Sequence, residues 1–321
     1  MTMTAAEIRL KQNPILTGLL LGMGQGTMIA EQLFPRLPQA LSAVTLAKLG
    51  DERLRNYNLR RAPGTATKRV DIKYEGVTYA VKQYAVDVPI PRELLREADE
   101  SRRLNVGNYL DISRIAMTTA SDILLLNYEI EVATLATSAA SYASGHVMAL
   151  AGGTKWSAAT GTPVTDIRAA ADVIRKKIGK RPNKLTLSAD AFTAITMNVE
   201  VKSYLSSTQT GPATIEQLKT ILNVAEIVVG DAVWIDDSDS GKDVWGNNAI
   251  LAYVPKIGGT GSTDISLAEP GFGFTNVIDG HPFAETPYFE AGSKSWIYGA
   301  TYERQPNVAY NTAAFLFSNP K

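Results

Sequence analysis

The stretch Val70-Asp71-Ile72-Lys73-Tyr74-Glu75-Gly76-Val77 decides the fold, together with a long helix that follows it. Apolar and charged residues alternate from Val70 to Glu75, and this period of two predicts a half-buried strand. We expect the chain to turn at Glu75-Gly76 and to return as a second strand, so that a ribbon spans residues 60–91. Because a lone two-stranded ribbon buries too little surface to be stable, it must lie on another surface.

The return strand changes phase partway along its length. Its apolar side chains fall at odd positions from Val77 to Val81 and at even positions from Tyr84 to Val88. This change predicts a bulge near Lys82-Gln83 that bends the ribbon. We expect Pro89 and Pro91 to end the strand, because proline has no N–H to donate to a ladder.

The long helix is predicted from about Tyr109 to Ala136. One apolar stripe recurs along it at steps of three or four residues: Ile112, Ile115, Thr119, Ile123, Leu126, Ile130 and Ala133. A helix of this length spans about 40 Å, so it predicts a backbone across which sheets and loops pack.

Charge is distributed unevenly along a chain whose net charge is zero. Residues 53–82 hold eight basic and two acidic side chains, a net charge of +6, whereas residues 183–321 hold eight basic and fifteen acidic ones, a net charge of −7. A basic projection and an acidic body suit head-to-tail contact between copies. Two solvated surfaces of one globule are the alternative that charge alone leaves open.

Composition excludes several classes of protein. The chain has 321 residues, of which 45% are hydrophobic, so it can bury a large core in two or more subdomains. The absence of cysteine excludes disulfides and thiolate chemistry. We expect no membrane span, because the sequence contains no apolar run of about 18 residues, and no sequence-reading contact with nucleic acid, because no domain is strongly basic.

From Val164 onward the sequence alternates helical and strand patterns. The expected elements are a helix ended by Gly179, a strand over Lys184–Leu187, a short helix capped by Ser188, a helix started by the Thr214/Gln217 capping box, two strands within residues 224–235, a buried strand at 249–254 and a β-rich tail over 286–317. We expect the tail to pack beside the long helix.

Three patterns are candidate sites of chemistry. Gly22, Gly24 and Gly26 follow no strand and open no helix, so they predict a mobile arm rather than a dinucleotide fingerprint. The run Asp236–Asp243 resembles part of a calcium loop but has Asn247 where the closing Glu should stand, so it predicts a solvated hairpin tip. The two histidines, His146 and His281, have no metal-binding or triad spacing. No cofactor is expected, and nothing in the sequence argues for an enzyme.

The order of these parts resembles the major capsid proteins of tailed bacteriophages. The local motifs that carry the resemblance are Asn13-Pro14-Ile15-Leu16-Thr17, Leu33-Phe34-Pro35, Tyr57-Asn58-Leu59-Arg60-Arg61, Pro89-Ile90-Pro91-Arg92-Glu93, Pro163–Arg168 and Lys180–Leu185. The resemblance implies an α+β fold with five parts: an N-arm (1–58), an E-loop ribbon (59–91), a spine helix with part of the P-domain and a connector (92–163), an A-domain (164–284) and returning P-domain strands (285–321).

The same resemblance implies a non-enzymatic structural protein of the virion. Such a protein tiles an icosahedral head as hexamers and pentamers around double-stranded DNA, and it does not recognise the DNA sequence. In this fold the E-loop lies over the adjacent subunit, which assigns Arg60, Arg61, Lys68, Arg69 and Lys73 to inter-subunit contacts. The A-domain gathers at the capsomer centre, which places Asp236, Asp237, Asp239 and Asp243 there.

Further partners follow from the family as expectations. Some members carry a long coiled-coil-like segment before the N-arm that this sequence lacks, so we expect a separate scaffolding protein. A portal and a decoration protein are further candidates, and we expect assembly in the bacterial cytoplasm. Two alternatives remain: the shell of a cargo-enclosing nanocompartment with the same fold, and a soluble α/β enzyme.

Overall fold

The computed structural model describes residues 28–49, 51–71, 74–103, 111–205, 211–255 and 269–321. The α-helices are α1 (Ala30–Leu33), α2 (Arg92–Arg103), α3 (Ile112–Thr137), α4 (Pro163–Ile178), α5 (Ala189–Met197), α6 (Val199–Ser203) and α7 (Ile215–Leu222). The strands are β1 (Arg36–Gln39), β2 (Ala43–Leu49), β3 (Tyr74–Ala80), β4 (Lys82–Pro91), β5 (Val147–Ala149), β6 (Lys184–Ser188), β7 (Glu226–Gly230), β8 (Val233–Ile235), β9 (Gly241–Asp243), β10 (Asn248–Ala252), β11 (Gly273–Ile278), β12 (Phe283–Ala284), β13 (Tyr288–Glu290), β14 (Ser295–Val308) and β15 (Ala314–Ser318).

A five-stranded sheet forms the core of one lobe, in the order β5-β15-β10-β6-β7. Every residue of β6 is buried, and α4, α5 and α7 pack against strands of this sheet. Local signals set the helix ends as the sequence predicts. Gly179 ends α4 with a φ of 74°, the Ser188 side chain accepts from the N–H of Ala191 at the start of α5, and Thr214 forms a capping box at the start of α7.

A second sheet is organised by the 14-residue strand β14. Strand β4 pairs along one side of β14, and β11, β12 and β13 pair along the other; β1 adds to β11 in parallel. Helix α3 packs against β14 and β4. The buried guanidinium of Arg304 lies over the ring of Tyr84 at 4.1 Å and donates to Asn127 Oδ1 at 2.7 Å, so it joins the sheet to the helix.

The predicted long helix is confirmed, but its buried face is not the predicted one. The Asp111 side chain caps α3 by accepting from the N–H of Arg114. The buried residues are Ala116, Met117, Ala120, Ser121, Leu124, Tyr128, Glu129, Val132, Ala133 and Ala136. Of the predicted stripe, Ile115, Thr119 and Ile123 are exposed. Four of the ten buried residues are alanine, and the helix packs against β14 and β4.

The predicted hairpin between residues 70 and 88 is wrong. Glu75 and Gly76 lie inside β3, and β3 pairs with β2, where Glu75 stands opposite Lys48 and Gly76 opposite Ala47. The two-stranded ribbon therefore consists of β2 and β3. Alternation in a sequence marks a strand but does not identify its partner.

The phase change corresponds to a break between β3 and β4 at Val81, whose N–H donates to the carbonyl of Ser42. The strand ends at Pro91, as predicted, although Pro89 still lies within it opposite Ile297 of β14. Within the described chain β4 pairs with β14 alone, so its other edge is free and the missing proline N–H groups cost little.

Sheet membership departs from the predicted boundary between residues 284 and 285. Strands β11 and β12 belong to the sheet around β14, although the predicted boundary assigns them to the A-domain. Strand β15 belongs to the five-stranded sheet, although the same boundary assigns it to the returning P-domain strands. Consecutive strands cross between the two sheets, which the order of elements in a sequence does not show. None of the described helices combines the length and apolar character that a membrane crossing requires.

Candidate assembly surfaces

The loop at the end of the β2–β3 ribbon is the most exposed segment that the structure describes. From Leu54 to Asp71 every residue is exposed except Tyr57, which is half-buried. Residues 55–71 form no helix or strand. We call residues 55–71 the basic loop, because they include Arg55, Arg60, Arg61, Lys68 and Arg69. Lys73, the fifth predicted contact residue, lies outside the described residues.

The predicted contact residues in the basic loop have no ion-pair partner in their own chain among the residues that the structure describes. The hydrogen bonds that shape the loop are local: the N–H of Arg60 donates to Asn58 Oδ1 at 3.2 Å, and Thr65 Oγ1 donates to the carbonyl of Ala62 at 2.8 Å. Leu59 is 71% exposed and Val70 is 42% exposed in the same loop. Unpaired cations interleaved with exposed apolar side chains are the composition expected of a contact surface.

The base of the ribbon is attached to the sheet around β14. The ring of Tyr79 in β3 meets the ring of Phe274 in β11 edge to face, with centroids 5.4 Å apart. Beyond Val81 the chain continues as β4 of that sheet. The ribbon is thus anchored at one end and exposed at the other.

The acidic residues 236–243 form the tip of the β8–β9 hairpin, as the sequence predicts. Asp236 Oδ1 accepts from the N–H groups of Ser238 and Ser240, and its carboxylate pairs with Lys242 at 2.6 Å. These partners hold the pKa of Asp236 well below its ordinary value. Asp237, Asp239 and Asp243 are exposed. The carboxylate of Asp236 is therefore used to close the turn, and in the described part of the chain no group of three acidic or histidine side chains is placed to hold a metal ion.

A buried carboxylate in α3 joins three parts of the chain. The sequence gives one indication of this junction, which is an acidic residue within an otherwise apolar helix. Glu129 of α3 is fully buried and accepts from the backbone N–H groups of Ile29 at 2.9 Å and Ala30 at 2.8 Å. It also accepts from Trp245 Nε1 at 2.7 Å. Burial raises the pKa of Glu129, and the three donors offset part of that rise.

The Glu129 junction fixes where the N-terminal segment meets the body. Trp245 follows the acidic hairpin and lies against Gly230, where any side chain would collide with the indole. Phe34 lies in the same way against Gly273 and meets Phe272 edge to face at 5.5 Å. The segment from Ile29 to Phe34 is therefore held by the Glu129 carboxylate and by the packing of Phe34. The Phe34 carbonyl also accepts from the hydroxyl groups of Tyr128 and Thr275.

Comparison with known proteins shows which family has this architecture. No family model matches the sequence. The major capsid protein of Burkholderia phage BcepMu is 31% identical over 276 residues, which cover 85% of this chain and 86% of that protein. The chain belongs to the phage major capsid protein family. It is therefore a structural protein of the virion capsid rather than an enzyme, and it assembles with copies of itself into a shell.

Solved structures agree with this family. A phage-related protein from Bordetella bronchiseptica RB50 superposes with a TM-score of 0.77 at 34% identity, covering 97% of each chain. The holo-SrpI encapsulin complex of Synechococcus elongatus PCC 7942 superposes with a TM-score of 0.52 at 12% identity, covering 99% of this chain and 96% of that one. The second likeness shows the fold alone. The predicted α+β capsid fold and the predicted structural role are confirmed.

Proposed function

We propose that this capsid protein forms hexamers and pentamers of an icosahedral phage head that encloses double-stranded DNA, and that each ribbon lies over an adjacent subunit. The observation that carries this proposal is the basic loop, whose cations are exposed and unpaired with any described residue at the end of an anchored ribbon. Complementary charge on a neighbouring copy would set the register of the contact. The excess of acidic residues beyond position 183 is the source of the negative charge that this contact requires.

The acidic hairpin is proposed to lie at the capsomer centre. Its exposed carboxylates at 237, 239 and 243 would then meet their symmetry copies across water, where salt screens repulsion within about 10 Å. Asp236 contributes little to that repulsion, because Lys242 neutralises it within its own chain.

The remaining partners are proposed from membership of the family. They are a separate scaffolding protein, a portal and a decoration protein during assembly in the host cytoplasm, and packaged DNA that the shell contacts without reading its sequence. The alternative function for a protein of this fold is to form the shell of a nanocompartment that encloses cargo. Nucleic acid inside purified shells supports the phage head, and a folded protein inside them supports the alternative.

Charge reversal in the basic loop tests the ribbon contact. The double variant Arg60→Glu/Arg61→Glu should fold as the wild type does but give at least about tenfold fewer shells at low salt. Each exposed pair contributes only about 0.2–1 kcal/mol, yet a shell repeats the contact in every subunit. Shells are counted by negative-stain electron microscopy and sedimentation after expression with and without a candidate scaffold.

A matched control separates contact from net charge. Lys176→Glu/Lys177→Glu changes the net charge by the same amount, at two exposed lysines that are consecutive in α4. This control should assemble at close to the wild-type yield. Normal shells from the loop variant at low salt would contradict the proposed contact, as would an equal loss in both variants.

A further inference from the structure

Helix α3 has a second apolar face that the described chain leaves uncovered. Ile115 is 48% exposed and Ile123 is 47% exposed, and Thr119 between them is exposed as well. Leu126 and Ile130 continue the same face and are half-buried. These five positions recur at steps of three or four residues, so they form one continuous stripe beside the buried face. We call this stripe the outer face of α3.

A groove runs between the outer face and the turn that joins β7 to β8. Its volume is about 260 Å³, and it is lined by Met28, Asp122, Ile123, Leu126, Asp231, Ala232 and Val233. Val233 is 52% exposed and Ile235, two residues further along β8, is 69% exposed. Five of the seven lining residues are therefore apolar, and the other two are the carboxylates Asp122 and Asp231.

The N-terminal segment leaves the described structure inside this groove. Met28 lines the groove, and Glu129, one turn beyond Leu126 on α3, holds the N–H groups of Ile29 and Ala30. Whatever precedes Met28 must start from this point. The sequence Ile15-Leu16-Thr17-Gly18-Leu19-Leu20-Leu21 lies upstream, and five of its seven residues are isoleucine or leucine.

The connecting segment is long enough to bring this apolar run onto the outer face. Residues 22–27 can span about 20 Å when extended, and the distance from Leu126 to Ile115 along the helix is about 16 Å. Gly22, Gly24 and Gly26 let the connection turn in conformations that other residues resist. Upstream of the run, Arg9 and Lys11 outnumber the one acid, Glu7, which suits a groove bordered by Asp122 and Asp231.

We propose that residues 15–21 of the same chain dock on the outer face of α3. A second copy is the competing occupant, since its basic loop also exposes Leu59 and Val70. The N-terminal segment is favoured because its tether begins in the groove. A tether of only six residues gives an effective concentration in the millimolar range without any further contact. The inference concerns contacts within one chain, so it stands or falls independently of how shells are built.

Site-directed photocrosslinking tests the proposal in the full chain, which contains no cysteine of its own. The Thr119→Cys variant, which places a thiol on the outer face, is labelled with benzophenone maleimide, irradiated before shells form and digested with trypsin. The expected crosslink joins the labelled position 119 to residues 15–21 within the tryptic peptide 12–36. The crosslinked protein should migrate as a monomer on a denaturing gel, because both ends belong to one chain.

Thr134→Cys is the matched control. Thr134 is exposed on the same helix and donates to the carbonyl of Ile130, just as Thr119 donates to the carbonyl of Ile115. It lies about 22 Å further along the axis, so its crosslink yield to residues 15–21 should be at least about fivefold lower. Adding Leu20→Asp to the Thr119→Cys protein should lower the yield by a similar factor without changing the circular dichroism spectrum.

Three results would overturn the proposal. One is a crosslinked dimer, which would assign the outer face to a second copy. Another is a crosslink from position 119 to a different peptide. The third is equal yields at positions 119 and 134, which would show a tether that samples the surface without docking.

Discussion

The five-stranded sheet and the β2–β3 ribbon are both built from β-strands, but different surroundings support them. Strand β6 lies between β10 and β7, and all of its residues are buried within the chain. Strands β2 and β3 pair with each other, and the basic loop that joins them is exposed. The sheet is stabilised by burial that one chain supplies. The ribbon is held by pairing between its two strands and ends in the exposed basic loop, and we propose that neighbouring subunits cover it.

This difference separates folding from assembly within one chain. Substitutions in and around the five-stranded sheet should change the free energy of unfolding. Substitutions in the basic loop should leave that free energy unchanged and act on the shell. The predictions below test this division, beginning with the junction that ties the N-terminal segment to the body.

The largest effect is expected at Glu129. Glu129→Ala leaves three buried N–H donors without an acceptor and should lower the free energy of unfolding by about 3 kcal/mol in urea denaturation. Glu129→Gln keeps one acceptor oxygen and should lose roughly half as much. If the alanine variant were as stable as the wild type, the junction would not be a source of stability.

A smaller effect is expected where Trp245 packs on β7. Gly230→Ala places a methyl group against the indole and should cost about 2 kcal/mol by forcing the ring to move. The same substitution at Gly241, in the exposed hairpin, meets Val233 only at ordinary contact distance and should change stability by less than about 0.5 kcal/mol. Equal melting temperatures for the two variants would argue against tight packing around Trp245.

A pH-dependent effect is expected at Asp87 in β4, the strand that follows the ribbon and pairs with β14. Asp87 and Glu285 flank Gly299, and burial together with the charge of Glu285 raises the pKa of Asp87. An acid with a raised folded pKa costs stability at pH values above that pKa, and the cost disappears below its ordinary value of 3.8.

Asp87→Asn should therefore raise the free energy of unfolding at neutral pH, by about 0.2–0.5 kcal/mol for so exposed a group. The gain should vanish as the pH falls below 3.8. Thermal unfolding across this range measures the change, with Asp237→Asn at the exposed hairpin as the control. A gain that grew on acidification would reverse the sign we expect.

The smallest effect on stability is expected at Leu59 in the basic loop. Leu59→Ser should change the free energy of unfolding by less than about 0.5 kcal/mol, because the side chain is already in water. The yield of shells should nevertheless fall. Leu41→Ser, at a leucine of similar exposure outside the loop, should leave that yield unchanged. A large loss of stability in the Leu59 variant would show that the loop is packed on its own chain.

Much of the fold could be predicted because its signals are local. Ser188, Thr214 and Gly179 mark helix ends through contacts within four residues, and the structure places each helix end where the sequence does. The exposed basic loop and the acidic hairpin were also predicted, because runs of charge cannot be buried without partners.

Other features depended on residues far apart in the sequence. The partner of β3 is a strand about 30 residues upstream, and alternation within β3 carries no information about it. The Glu129 junction joins residues about 100 positions apart in each direction, so no local pattern revealed it. The buried face of α3 was predicted wrongly because the helix is apolar on two faces.

The sequence by itself determined the helices and most strands of the α/β lobe, the charge of the ribbon loop and the hairpin, and the family to which the chain belongs. Only the tertiary structure decided which strands pair, which face of α3 is buried and which face is left exposed. The physical reason is that propensity, capping and alternation act over a few residues, whereas pairing and burial are settled by competition among distant surfaces.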